Sequence, residues 1–238
     1  MSENGYGFEY RDAAAQQGAV NVGAMMTKVF GWMTAALAIT AVVAMFTAQN
    51  QALQEIVIGN RAVFIGLLLG EFALVWAIGS AVGKTSAGVA TVLFVVYAVA
   101  NGLTLSIIFL VYQLGSLAST FFVTSATFGA MALYGYTTRR DLTGLGSMLF
   151  MLLIGLIIAS IVNMFMASSM LYWIITYAGV AIFVGLTAYD AQKIKAMANS
   201  VAPGTREGQA LAIYGALILY LDFINLFLYL LRLLGRRK

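Results

Sequence analysis

The segment LYLDFINLFLYLLRLLG, residues Leu219–Gly235, is apolar enough to enter a membrane and yet carries an aspartate in its middle. Positions three, four and seven residues apart share one side of a helix. The polar residues of this segment fall on one such side: Asp222, Asn225, Tyr229 and Arg232. A polar stripe cannot face hydrocarbon, so the segment is predicted to be a helix that faces the interior of a bundle or a wet cavity.

The composition of the 238 residues indicates a membrane protein, because 62% are hydrophobic and only 9% are charged, against about 25% charged in soluble domains. The chain contains no cysteine and no histidine. Disulfides, thiol nucleophiles and histidine metal sites are therefore excluded. No nucleophile lies beside a base, so no enzymatic activity is predicted. The net charge of +4 comes from short loops and the tail, which indicates membrane topology and not nucleic-acid binding.

Seven apolar runs are long enough to cross a lipid bilayer, since a spanning helix needs about 20 residues. They predict an all-α integral membrane protein, a seven-transmembrane-helix bundle. Residues 1–24 are predicted to be a polar cytoplasmic tail, residues 25–238 a single transmembrane domain, and Gln192–Gln209 the longest internal loop. The predicted spans are approximately Val29–Thr47, Ala62–Val82, Ala87–Tyr112, Leu117–Thr137, Leu145–Met166, Met170–Ala191 and Ala210–Leu234.

The distribution of lysine and arginine predicts the orientation, because these residues concentrate in cytoplasmic loops. With the N-terminus inside, the cytoplasmic loops are basic and the opposite loops contain only Arg61. The tail cations Arg236, Arg237 and Lys238 contradict this pattern if the last segment crosses fully. Two interpretations stay open. Seven true spans with an outside tail are favoured by the length of the last run, and a re-entrant last segment would return the tail inside.

Three carboxyl groups lie within the apolar runs or at their ends: Glu71, Asp190 and Asp222. A charged residue at the centre of a membrane costs about 2.5–3.5 kcal/mol on insertion scales. Each of the three is therefore either a functional group or a hydrogen-bonded tie between helices. The helical neighbours of Glu71 are all apolar, so no residue on its side of the helix is a polar partner for it.

Asp190 and Asp222 lie on consecutive helices, where they can meet. Two adjacent carboxylates cannot both ionise at low cost, so such a pair is expected to share a proton. Without the proton it would repel itself or bind a cation such as Ca²⁺, which prefers oxygen ligands. By simple counting, Asp190 lies at the membrane edge and Asp222 roughly 18 Å inside, at about 1.5 Å per residue. Pairing therefore requires the last helix to begin above the membrane surface, or the sixth helix to tilt.

The stretches LYLDFINLFLYLLRLLG and LTAYDAQKIK, the latter Leu186–Lys195, strongly resemble the Bax inhibitor-1 family, also called the transmembrane Bax inhibitor motif family. YAVANGLTLSIIF (Tyr97–Phe109) and VFGWMTAALAITA (Val29–Ala41) are also similar. The resemblance implies a bacterial inner-membrane protein whose last helix is central and wrapped by two three-helix layers. It also implies a pH-modulated leak of cations, chiefly Ca²⁺, without any cofactor. Asp190 and Asp222 would be its proton sensor, its gate and the contact for Ca²⁺.

The same resemblance implies further residues along an ion path. Glu71 is expected to line the pore, and Asn225, Tyr229 and Arg232 to line or support it. Members of the family close the cytoplasmic mouth with an arginine at the end of the second helix. In this sequence only Lys84 is basic there, and a lysine gives a point charge without the bidentate fork of arginine.

Two other functions are compatible with the sequence. A non-conducting interaction protein would regulate a membrane protease or a cell-death or stress pathway. Residues 1–24 would be the segment that binds its partner. A proton-coupled cation transporter is disfavoured, because neither an inverted repeat nor a matching pair of Gly/Pro-broken helices is found. An intramembrane aspartyl protease is matched only by AYD at Ala188–Asp190, since YLDF stands where the second, glycine-rich motif would be.

Overall fold

The computed structural model describes residues 4–81, 87–201 and 204–238, with side chains from residue 21 onward except that of Ala81. These residues form eight helices, of which seven are long and apolar enough to cross a membrane. The prediction of an all-α protein with seven spans is confirmed. The helices are α1 Asn4–Gln49, α2 Gln51–Val57, α3 Arg61–Ala81, α4 Ala87–Val111, α5 Leu114–Thr137, α6 Thr143–Met166, α7 Ser169–Ala198 and α8 Arg206–Leu234.

The helix at the centre of the bundle is α8. Its most apolar stretch is 72% buried inside the protein, whereas that of the peripheral α3 is 6% buried. In one layer α1 and α3 pack on α4, and in the other α5 and α6 pack on α7. Helix α8 contacts α1 and α4 on one side and α5 and α7 on the other. The expected arrangement, a C-terminal helix wrapped by two three-helix layers, is confirmed.

The predicted loop Gln192–Gln209 is wrong at both ends. Residues 192–198 complete α7 and residues 206–209 begin α8, so only residues 199–205 connect the two helices. Thr205 caps α8, because its hydroxyl accepts a hydrogen bond from the Gly208 amide at 3.1 Å and so satisfies a free N–H of the first turn. Polar residues end an apolar run without ending a helix, which is why the apolar pattern alone misplaced both boundaries.

Helix α1 has no break at residue 24. It is continuous from Asn4, and the side chains of Val22 and Met25 are buried in the core. The cytoplasmic location of the N-terminal segment stays a prediction. The short helix α2, Gln51–Val57, was not predicted; its N-terminus is capped by the side chain of Asn50, which accepts from the Leu53 amide at 3.2 Å.

Helices α5 and α7 approach each other closely at Gly135. A Cβ atom at this position would collide with the backbone carbonyl of Ala188 on α7. Glycine is therefore required here by the distance between the two backbones. The contact fixes α5 against the part of α7 that carries Asp190.

The C-terminal tail pairs with the connection between α4 and α5. Tyr112 and Arg237 form an isolated antiparallel bridge. The Gln113 amide donates to the Arg236 carbonyl at 3.0 Å, and the Lys238 amide donates to the Val111 carbonyl at 2.9 Å. Since α8 is one continuous helix of 29 residues, it crosses the bundle fully and carries the tail to the face of the α4–α5 connection. The re-entrant interpretation is therefore wrong.

Candidate functional site

Asp190 of α7 and Asp222 of α8 meet inside the bundle, where their carboxyl groups are hydrogen-bonded to each other. Two glycine contacts set the antiparallel register that brings them together. A Cβ at Gly179 would lie 2.5 Å from the ring of Tyr229, and a Cβ at Gly215 would lie 3.1 Å from Ile194. The two carboxyls meet because α8 begins four residues before its apolar run and α7 continues eight residues beyond Asp190.

The hydrogen bond between the two carboxyls requires a proton, because ionised carboxylates can only accept. The side chain of Asp222 is buried, and its Oδ2 atom has no hydrogen-bond donor among the described residues. With both groups ionised, this oxygen would be a buried acceptor without a partner beside a second negative charge. A single proton shared by the pair removes both difficulties, so the geometry suits a proton-binding pair.

The half of α7 that carries Asp190 is bonded to the end of α5 and to the connection between α5 and α6. Gln192 accepts from the Leu142 amide at 2.9 Å and donates to the Arg140 carbonyl at 2.7 Å. Lys195 donates to the Tyr136 carbonyl at 2.6 Å, and its ammonium group lies 5.0 Å from the centre of that tyrosine ring. These bonds hold α7 in place at the pair, and they also explain why the helix continues beyond its apolar run.

Lys193 supplies the positive charge that acts on Asp190. It lies one turn further along α7, and its ammonium group lies 5.8 Å from the centre of the Tyr189 ring. The cation therefore influences the pair from the end where α7 leaves the bundle. Asp222 receives no comparable contribution, since the charge that acts on it is that of Asp190.

The other members of the polar stripe of α8 are satisfied away from the two carboxyls. Asn225 donates to the Leu221 carbonyl of its own helix at 2.8 Å. Tyr229 stacks on Phe183 with the ring centres 5.8 Å apart, and the exposed Arg232 lies 5.2 Å from the centre of the Tyr229 ring. Asn225 and Tyr229 are half-buried and face the bundle as the stripe predicts, but their role beside an ion path stays a prediction.

Glu71 lies in a polar network that sequence reasoning missed. Its neighbours on α3 are apolar, yet two residues of α4 donate to its carboxyl group: Asn101 at 3.0 Å and Thr104 at 2.7 Å. The network continues to α8 and α1 through Tyr220 and Thr40. One signal was present, since Asn101 and Thr104 are polar residues three positions apart in an apolar run, and therefore on one side of α4.

The Asp190–Asp222 pair offers a Ca²⁺ ion two carboxyl groups. Ca²⁺ takes six to eight oxygen ligands, and no group of three or more carboxylates suited to a metal ion occurs in the described part of the chain. A passing cation in contact with the pair stays a prediction. Lys84, expected in place of the gate arginine, lies outside the described residues.

Comparison with known families places most of the chain in one family. Residues 22–238 match the family described as "Inhibitor of apoptosis-promoting Bax1". The chain belongs to the Bax inhibitor-1 family. The resemblance drawn from the sequence stretches is thereby confirmed, and it extends over nearly the whole chain.

Several bacterial proteins are similar to this chain along most of their length. Inner membrane protein YbhL of Escherichia coli (strain K12) is 53% identical over 216 residues, which cover 90% of this chain and 92% of the relative. An uncharacterized protein of Borreliella burgdorferi is 49% identical, with the same two coverages. A third relative, from Rickettsia prowazekii, is 45% identical over 90% of this chain and 89% of its own.

Proposed function

We propose that this chain is a pH-sensitive cation leak channel of a bacterial inner membrane, with Ca²⁺ as the permeating ion. The observation that supports this is the hydrogen-bonded pair Asp190–Asp222, placed between the central helix and a helix of the surrounding layer. A carboxyl pair in that place links protonation to the packing of α7 on α8. The similarity to an inner membrane protein of Escherichia coli supports the location.

The proton determines whether the pair holds α7 and α8 together. With the proton bound, a hydrogen bond joins the two helices. Without it, two negative charges face each other, and at 4 Å such charges repel by about 4 kcal/mol at an effective dielectric constant of about 20. The buried oxygen of Asp222 then also lacks a donor. Rising pH therefore favours separation of the helices or entry of a cation between the carboxylates, and both increase the leak.

Ca²⁺ flux into proteoliposomes, measured against pH, tests the proposal. Asp222→Asn keeps a hydrogen bond to Asp190, because the amide donates, but it cannot lose a proton near neutral pH. We expect the wild-type leak to rise with pH and the leaks of Asp222→Asn and Asp190→Asn to be nearly independent of it. Glu55→Gln, which changes an exposed carboxyl on α2, is the matched control and should behave as the wild type. Unchanged flux and pH profile in both aspartate variants would refute the proposal.

A further inference from the structure

A chain of hydrogen bonds connects four helices on the side of α8 opposite to the aspartate pair. It starts at Glu71 on α3, which accepts from Asn101 of α4 at 3.0 Å. The Tyr220 hydroxyl of α8 lies 3.0 Å from the amide oxygen of Asn101 and 2.6 Å from the Thr40 hydroxyl of α1. Thr40 in turn lies 2.9 Å from the Ala98 carbonyl of α4. Asn101, Tyr220 and Thr40 are all buried.

The two hydroxyl groups in this hydrogen-bond chain make more contacts than they have hydrogens to donate. Tyr220 and Thr40 each own one hydroxyl hydrogen. Three contacts each need a hydroxyl hydrogen: Tyr220 with Asn101, Tyr220 with Thr40, and Thr40 with the Ala98 carbonyl. At any moment one of the three is therefore without its hydrogen, and the chain must adopt one direction or the other.

We propose that Glu71 is a second proton-binding site, separate from the aspartate pair, and that its proton sets the direction of this chain. In the ionised form, Thr40 donates to Tyr220, Tyr220 donates to the Asn101 oxygen, and the Asn101 amide group donates to Glu71. The charged carboxylate then accepts this bond together with the one from Thr104 at 2.7 Å. The contact of Thr40 with the Ala98 carbonyl is the one without a hydrogen.

Binding of one proton at Glu71 reverses every bond of the chain. The carboxyl O–H now donates to the Asn101 oxygen once the amide has turned over, which is a rotation about a single bond. The Asn101 amide group donates to Tyr220, Tyr220 donates to Thr40, and Thr40 donates to the Ala98 carbonyl. The added proton supplies the missing hydrogen, so the neutral form has a bond at every contact. The same residues thus accommodate both protonation states of Glu71, and only the neutral state has a hydrogen at every contact.

The groups that face Glu71 do not fix its charge by ion pairing. The titratable groups that interact with it are Tyr97 of α4 and Tyr220 of α8, and these two rings pack edge to face with centres 5.6 Å apart. The side-chain hydrogen bonds of the Glu71 carboxyl group come from Thr104 and Asn101. Among the described side chains of α2, α4 and α8, no lysine or arginine forms an ion pair with it.

Reversal has a structural consequence where α1 meets α4. When Glu71 is protonated, the hydrogen-bond chain gains the bond from Thr40 to the Ala98 carbonyl, close to Gly102. A Cβ at Gly102 would lie only 2.8 Å from the Thr40 carbonyl, so the two backbones nearly touch there. The proton at Glu71 therefore tightens α1 on α4 at a point of close approach. This inference does not depend on ion conduction.

Infrared difference spectroscopy against pH, on purified protein in nanodiscs, tests the proposal. The experiment uses the Asp190→Asn/Asp222→Asn background, which removes the signals of the aspartate pair whether or not that pair gates a leak. Besides the bands of the exposed carboxyl groups, we expect a protonated-carboxyl band from Glu71 that appears on acidification together with a change in a tyrosine C–O band. Glu71→Gln should remove both responses, and Tyr220→Phe should remove the tyrosine change while keeping the carboxyl band. Glu55→Gln should leave both.

Two results would overturn the proposal. One is a tyrosine band whose pH response survives Glu71→Gln, since Tyr220 would then not respond to that proton. The other is the absence of any carboxyl band that Glu71→Gln removes, since Glu71 would then not bind a proton in the accessible range. Glutamine is nearly isosteric with glutamate and can donate to Asn101, so Glu71→Gln is expected to fold. Tyr220→Phe provides an independent reading if it does not.

Discussion

Tyr220 and Asp222 are two residues apart on α8, yet they belong to different polar sites on different sides of the bundle. Tyr220 bonds to α4 and α1, the layer that also holds α3 and Glu71. Asp222 bonds to Asp190 of α7, in the other layer. A helical side chain two positions further on points about 200° away, so one short segment of the central helix contacts both layers through polar groups. Movement of α8 must therefore alter both sites.

The thermal stability of the protein should depend on pH through the aspartate pair. The bond between Asp190 and Asp222 exists only while the proton is bound, so raising the pH removes a link between α7 and α8. We expect the unfolding temperature of the wild type in detergent to fall as pH rises through this titration. Asp222→Asn keeps its bond at all pH values near neutrality and should show a flatter curve. Asp222→Ala, which leaves Asp190 without its partner, should lose about 1–3 kcal/mol.

Glu55→Gln is the control for this measurement, because it removes one carboxyl group from the exposed face of α2. Its unfolding curve should follow that of the wild type at every pH. Parallel pH dependence in the wild type and Asp222→Asn would contradict the prediction, since it would show that another group causes the change.

The sequence predicts the bundle well because its main signal, long apolar runs, is local. The inward-facing side of α8 was also predictable, since Asp222 and Asn225 on one side of an apolar helix cannot face lipid. Its central place was expected only from the resemblance to the Bax inhibitor-1 family. The end of α7 was not, because residues 192–198 are helical through contacts such as Gln192 with the α5–α6 connection. The partners of Glu71 lie on another helix, thirty residues or more along the chain, and no periodicity within α3 indicates them.

The close contact of α5 with α7 should make Gly135 intolerant of substitution. In Gly135→Ala the new methyl group collides with the backbone carbonyl of Ala188, which cannot rotate away as a side chain can. We expect a loss of about 1–3 kcal/mol, typical of overpacking, measured by unfolding in mixed detergent. Gly129→Ala is the matched control on the same helix, because nothing lies within 4 Å of its new Cβ. It should be neutral or up to about 1 kcal/mol more stable, from helix propensity; equal effects of the two changes would argue against the close packing.

The connection between α5 and α6 should contribute stability that acid removes. Asp141 accepts a hydrogen bond from the Thr143 amide at 2.9 Å at the start of α6. Bonds from Thr143 hold the pKa of this exposed carboxyl below its usual range. Its folded-state pKa is lowered, so its contribution is present above the unfolded pKa, about 3.9, and is lost as pH falls through the folded value. Asp141→Ala should therefore unfold more easily than the wild type at neutral pH, and the difference should disappear in strong acid. A difference that persists there would show that the carboxylate charge is not its cause.

The two faces of the bundle can be told apart by single cysteines, since the natural chain has none. Gln51 and Lys238 are exposed and belong to the face of the α4–α5 connection, whereas Arg139 is exposed in the α5–α6 connection on the opposite face. With the N-terminus in the cytoplasm, an impermeant maleimide should label Gln51→Cys and Lys238→Cys in intact cells. Arg139→Cys should react only after permeabilisation. Labelling of Lys238→Cys together with Arg139→Cys would contradict the full crossing of α8, while a reversal of all three would overturn only the orientation.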